Sequence, residues 1–219
     1  MKRRILFKVL VGIVLTQVLL LSACLSMLVL SAENIEKGNL IRGGYFTDMS
    51  SSNIPISEQC VLINLAQDYF ITKINGKTVN VRGYQGNIFG GIYPIPLADF
   101  IILPPDEYTF EIMYNNEESA PGSLYGTSYR YYSGRSNINI TLEAGQYYCL
   151  EGTVLVRADG LRMDFSIVNL AEVNQIRMLS YTDIYRGRDP TIIPSSSIIT
   201  GVNKMIDSKK AVMRYYLSN

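Results

Sequence analysis

The sequence predicts an all-β fold, a single antiparallel β-sandwich of about seven to nine strands with immunoglobulin- or transthyretin-like architecture. Three observations carry that expectation. Tyr108, Phe110, Ile112 and Tyr114 alternate with Thr109, Glu111 and Met113, which puts one face of a strand on a core and the other toward water. Asn75-Gly76 stands between two β-rich runs, and a type I′ hairpin turn needs positive φ at both central positions. Turn residues then recur at roughly ten-residue spacing through the body of the chain, the signature of a sandwich or barrel.

The strands follow in order. Cys60-Val61-Leu62-Ile63-Asn64-Leu65 is a short apolar run with β-branched members and reads as the first core strand. Tyr69 to Ile74 and Lys77 to Val81 form the hairpin around Asn75-Gly76. Gly83 to Pro96 reads as a long loop; its Gly86-Asn87-Ile88-Phe89-Gly90-Gly91 lacks the Lys-Ser/Thr ending of a phosphate cradle. Phe100 to Leu103 runs into Pro104-Pro105-Asp106-Glu107, and because Pro cannot sit in a ladder a second hairpin is expected there. Asn115 to Gly126 is polar and reads as a loop. Thr127 to Tyr132 leads through Ser133-Gly134-Arg135 into Asn137 to Leu142, and Tyr147 to Val156 and Leu161 to Ile167 complete the set, separated by Glu143-Ala144-Gly145-Gln146 and Ala158-Asp159-Gly160.

Before the body lies a leader. Lys2, Arg3 and Arg4 precede an apolar stretch from Ile5 to Leu21, a signal-peptide layout, and Leu21-Ser22-Ala23-Cys24 has the pattern of a bacterial lipobox. Cys24 is the candidate lipidation site. Leu25 to Leu30 stays apolar, so an uncleaved anchor helix and ordinary cleavage after Leu30-Ser31-Ala32 stand beside lipidation. All three fates place Glu33 onward on the extracytoplasmic side, because the positive flank stays in the cytoplasm. The expected organisation is a lipoprotein signal peptide over 1–23, a tether or linker over 24–58, the sandwich over 59–170 and a C-terminal extension over 171–219 with one short helix in Gly201 to Asn219.

Composition narrows the chemistry. Lys2, Arg3, Arg4 and Lys8 are the basic residues before Cys24; without them 16 basic residues face 19 acidic ones, a net of −3. That is the wrong footprint for nucleic acid. There is no histidine, which removes the commonest general base and the commonest metal ligand. Asp106-Glu107 and Glu117-Glu118 sit where turns are expected and read as solvated carboxylates. No stretch has the alternating Asp and Asn of a calcium loop. The expectation is therefore a non-enzymatic protein with no cofactor and no metal.

Two features are left for function. Once Cys24 is lipidated, Cys60 and Cys149 remain, an even number in an oxidising compartment, and a Cys60–Cys149 disulfide is one reading and two separate buried thiols the other. Tyr125, Tyr129, Tyr131, Tyr132, Tyr147 and Tyr148 cluster with Arg130 and Arg135, and aromatics with Arg are what binding surfaces favour. Tyr125, Tyr129, Tyr131, Arg130 and Arg135 are the candidate binding surface, against the alternative of cross-strand packing within a sheet. Alternation places Tyr129 and Tyr131 on one side and Tyr132 on the other.

The run Leu103-Pro104-Pro105-Asp106-Glu107-Tyr108-Thr109-Phe110 resembles the L-x-P-G-x-Y-T-F hairpin of a group of small bacterial envelope lipoprotein domains of unknown function. Leu142-Glu143-Ala144-Gly145-Gln146-Tyr147-Tyr148 resembles their L-x-A-G-K-x-Y-Y turn, and Cys60-Val61-Leu62-Ile63 and Ile74-Asn75-Gly76 fall where their opening strand and first hairpin would. The resemblance covers Gln59 to Asn169 and departs at Asp106, where the pattern has Gly; a positive φ there would cost Asp something. It implies a compact sandwich on a lipid anchor and brings no catalytic residues. The expected function is that of a membrane-anchored extracytoplasmic binding or structural module of the cell envelope, held by its N-terminal lipid or an anchor helix, with an envelope protein or glycan as partner. The alternative is an accessory subunit or chaperone-like partner of a larger envelope complex.

Overall fold

A computed structural model describes residues 31–38, 41–46, 55–66, 69–82, 98–123, 126–157, 160–178, 190–208 and 212–218. Twelve strands and two α-helices make up the described elements, apart from one turn of 3₁₀ helix at Ile56–Glu58. The strands are β1 (Ile41–Phe46), β2 (Cys60–Asn64), β3 (Tyr69–Ile74), β4 (Lys77–Arg82), β5 (Ala98–Leu103), β6 (Asp106–Ser123), β7 (Gly126–Leu142), β8 (Tyr147–Arg157), β9 (Gly160–Asn169), β10 (Gln175–Met178), β11 (Thr191–Pro194) and β12 (Val212–Ser218). The helices are α1 (Ala32–Glu36) and α2 (Ser195–Ser208).

Ten strands form one sheet in the order β7-β6-β3-β4-β12-β1-β5-β2-β8-β9, and β10 and β11 pair separately. Most pairings are antiparallel; β1 runs parallel to both β12 and β5, and β2 parallel to β8. The sheet curls until its end strands β7 and β9 lie against each other. Residues from opposite ends of the strand order therefore share one interior: Tyr108, Phe110, Ile112 and Tyr114 of β6 pack with Leu150 and Val154 of β8 and Ile167 of β9. The result is the sandwich-like all-β fold, with two halves of one sheet facing each other.

A second core lies on the other face of β5, β2 and β8. Val61, Ile63, Phe100, Ile102 and Cys149 pack there against Ile35 of α1, Ile176 of β10, Ile193 of β11 and Ile198 and Val202 of α2. The two cores explain the apolar run in β2: all five of its residues are buried, and the first four, Cys60 to Ile63, fall alternately on one core and the other.

Local chemistry delivers the β3–β4 hairpin. Asn75 and Gly76 have φ of 51° and 79°, as the two-residue turn requires, and Ile74 pairs with Lys77 across it. The Asn75 side chain also accepts the backbone N–H of Thr109 at 2.9 Å, while Asn75 N–H donates to the Thr109 carbonyl at 2.8 Å, tying the turn to β6. The β8–β9 hairpin forms as the turn residues predict, with Arg157 opposite Gly160.

Four expectations are corrected. Pro104-Pro105 does not close a hairpin: β5 pairs with β1 and β2, β6 pairs with β3 and β7, and the chain turns a corner there from one half of the sheet to the other. Proline ends a ladder, but which strand the chain joins next is set by tertiary packing. The positive φ that would have cost Asp106 something is absent, and its Oδ1 accepts the Glu107 N–H at 2.8 Å. Asn115 to Ser123 continues β6 and pairs with β7, which puts Glu117 and Glu118 in a strand rather than a turn.

The fourth correction concerns the flanks. Residues expected in the linker contribute α1, with Ile35 fully buried, and β1, which sits between β12 and β5 in the sheet. Ser31 caps α1, its hydroxyl accepting Asn34 N–H at 3.3 Å. At the other end the helix runs from Ser195 to Ser208, earlier than the period in Gly201 to Asn219 suggests, and Val212–Ser218 is a strand between β4 and β1. The Ser cluster after Pro194, which reads as a breaker, is the first turn of α2.

Candidate functional site

The outer face of β3, β6 and β7 carries Phe70, Thr72, Lys73, Glu111, Met113 and Arg135. On the inner face Tyr69, Ile74, Phe110, Ile112 and Tyr114 are buried. Alternation should turn Phe70 and Thr72 outward together and Lys73 inward. A bulge between Ile71 and Lys73 changes the phase: Ile71 pairs with Ile112, Lys73 with Glu111, and Thr72 is the extra residue. Thr72 and Lys73 consequently both reach Glu111.

Glu111 is the hub of that face. Its Oε1 accepts the Thr72 hydroxyl at 2.8 Å and lies 3.5 Å from Arg135 Nη1, and its Oε2 lies 3.2 Å from Lys73 Nζ. The Thr72 hydrogen bond, ahead of the Lys73 and Arg135 charges, holds the Glu111 carboxyl below its ordinary range against a smaller opposing effect of burial. Next to this cluster the register lines up Phe70, Met113 and Arg135 on three adjacent strands. Phe70 is 40% exposed and the Arg135 side chain 62% exposed, so an aromatic and a guanidinium share one open row.

Of the sequence-predicted surface, Arg135 belongs to this row. Tyr125 and Cys24 lie outside the described residues. Tyr129, Arg130 and Tyr131 pair with Ser119, Glu118 and Glu117, in the part of the β6–β7 ribbon that continues past the last β3 pair, Tyr69 with Tyr114. The register puts Tyr129 and Tyr131 in the same alternate row as Arg135, and Tyr132 in the other.

Tyr147 and Tyr148 do not join them, because both rings pack into cores, Tyr148 into the inner one and Tyr147 against the second. The Tyr148 ring is in the inner core and its hydroxyl accepts Glu143 N–H at 2.9 Å. Tyr147 packs on the second core and donates to Asn203 Oδ1 of α2. Phe70, Thr72, Lys73, Glu111 and Met113 were not foreseen. The signal for Phe70 was present, since an aromatic out of phase with Tyr69 and Ile71 points away from their core.

Of the two readings of the cysteines, the structure holds the two separate buried thiols. Cys60 and Cys149 are both free and buried, and they lie on opposite faces of the sheet, Cys60 in the inner core and Cys149 in the second. Cys149 stands opposite Ile63, not Cys60. Cys60 Sγ donates to the Leu103 and Pro104 carbonyls, each at 3.2 Å, and Tyr108 donates to the same Pro104 carbonyl at 3.0 Å. Burial pushes the Cys60 thiol up to about 12 and Cys149 upward as well, so both are protonated at neutral pH and neither is a nucleophile. Among the described residues no three Cys, Asp or Glu side chains converge as metal ligands, and no helix is long and apolar enough to cross a bilayer.

No family model, no curated protein and no solved structure matches the chain. What the site can do therefore rests on its geometry. The Glu111 cluster fixes two cations on an open face beside an exposed aromatic, an arrangement suited to gripping a partner.

Proposed function

We propose that the chain is a membrane-anchored extracytoplasmic module of the bacterial envelope, lipidated at Cys24, that acts by binding an envelope protein or glycan rather than by catalysis. The observation that carries the binding half is the Phe70–Met113–Arg135 row, because an exposed aromatic beside an anchored Arg is what partner surfaces select. Support for the anchored half is the basic-then-apolar leader ending at Leu21-Ser22-Ala23-Cys24. A second reading, an accessory subunit or chaperone-like partner of a larger complex, is favoured by the β6–β7 ribbon, whose backbone pairing runs on past β3.

Capture from detergent-solubilised membranes tests the proposal. Wild-type protein should retain either glycan beads or a stoichiometric protein, the first supporting a glycan-binding module and the second the subunit reading. Phe70→Ala with Arg135→Glu should lower retention at least tenfold, the size of about 1.4 kcal/mol of lost binding. Equal capture by wild type and the double variant contradicts this surface.

A further inference from the structure

The fold starts much closer to the leader than its composition suggests. Ser31 caps α1, Ile35 is fully buried, and Ala32 packs on the same core, so α1 is held to the fold from its cap at Ser31. Only six residues separate Cys24 from Ser31. Seven Cα–Cα steps of at most about 3.6 Å give a reach of about 25 Å. A tether running to residue 58 would have reached roughly 120 Å on the same scale. Five of the six residues, Leu25, Met27, Leu28, Val29 and Leu30, are apolar, which favours keeping them in the bilayer boundary over stretching them through water. Cleavage after Ala32 would remove the Ser31 cap and the first residue of α1.

Where α1 sits in the fold turns this reach into an orientation. The layers run from α1 and α2, with β10 and β11, through β5-β2-β8 and the inner core to β3, β6 and β7. The Phe70–Met113–Arg135 row is on the outside of the last layer. Sheets pack about 10 Å apart, and a helix layer adds about as much, so that row stands on the order of 20 Å beyond the helices.

We infer that the chain is held with its α1–α2 layer against the lipid bilayer and its Phe70–Met113–Arg135 face pointing away from the membrane. The inference rests on the anchored reading above and commits to the bilayer as the occupant of the helical face, because the five apolar residues between Cys24 and Ser31 favour the bilayer boundary and so draw Ser31, the cap of α1, to its surface. Charge does not hold it there: Lys37, the C-cap of α1, pairs with Glu33, and in α2 Lys204 donates to the Glu36 carbonyl. The consequence is a module that works at the membrane surface and offers its binding face to a partner in the extracytoplasmic space.

Energy transfer from the full-length protein to headgroup-labelled acceptor lipids in native membranes tests the orientation. A donor dye is placed on Thr200→Cys, exposed on α2, or on Asn139→Cys, exposed on β7, and the unsubstituted protein with its buried Cys60 and Cys149 gives the background. Transfer from position 200 should exceed that from position 139 at least about twofold. A flexible Gly-Ser spacer of about thirty residues inserted between Leu30 and Ser31, with a mean span of roughly 30 Å, should remove most of the difference. Equal transfer from both positions, or more from 139, with the protein retained in the membrane fraction, overturns the orientation alone. Recovery of the protein in the soluble fraction overturns the anchored reading, and the orientation with it.

Discussion

Phe165 of β9 lies directly across from Gly152 of β8, and its ring fills the space that a side chain at position 152 would need. A Cβ on Gly152 would overlap that ring and come 3.0 Å from Tyr69 Cζ of β3. The Tyr69 and Phe165 rings in turn meet at a tilt of 56° with centroids 4.9 Å apart, so Gly152 lets an aromatic pair bridge the two halves of the curled sheet. Gly152→Ala should destabilise the fold by about 1–3 kcal/mol through overpacking, seen as a lower urea midpoint. Adding Phe165→Leu should recover part of that loss, because the two changes share one space; an unaltered midpoint in the single variant contradicts the packing.

Ile35 offers the sharpest contrast between a linker and a core element. Buried among the second core, its truncation in Ile35→Ala should cost about 2–5 kcal/mol in chemical denaturation. A residue in a free tether would give no change.

The Glu111 cluster sets a pH dependence. Its carboxyl titrates below the ordinary value of 4.5 in the folded state, so its contribution to stability is fully present above pH 4.5 and is lost as pH falls through the folded value. Glu111→Gln should therefore unfold more easily than wild type at pH 7, with the gap closing on acidification below 4.5. A gap that stays constant across that range would show that Thr72, Lys73 and Arg135 do not favour the charged form.

The two thiols should be silent until the protein unfolds. In the native state neither Cys60 nor Cys149 should react with a maleimide; in urea both should, and reductant should leave the melting temperature unchanged. A shift of several degrees on reduction would signal a bridge that the opposite-face placement forbids.

Much of the fold was legible wherever one local rule decided the outcome. Asn75-Gly76 specifies its own turn, the Tyr108 to Tyr114 alternation specifies a half-buried strand, and β8 pairs back on β9 with Arg157 opposite Gly160. The strand order was not legible, because joining β5 to β1 and β2 rather than to β6 depends on which apolar faces enclose the core. The polar β6–β7 ribbon was hidden for a related reason: periodicity reports burial, and a strand continuing past its neighbour carries none of that signal. At the site Arg135 was visible from composition, while Thr72 and Lys73 gained a common partner only through a bulge. Gly43-Gly44 in β1 offers no side-chain pattern to read, and its place is fixed by neighbours distant in the chain.

The account depends most directly on one thiol. Metabolic labelling with a palmitate analogue, in cells expressing wild type or Cys24→Ala, should give a labelled band for the wild type and none for the variant, with the wild-type protein in the membrane fraction. Equal labelling of the two would contradict lipidation at Cys24.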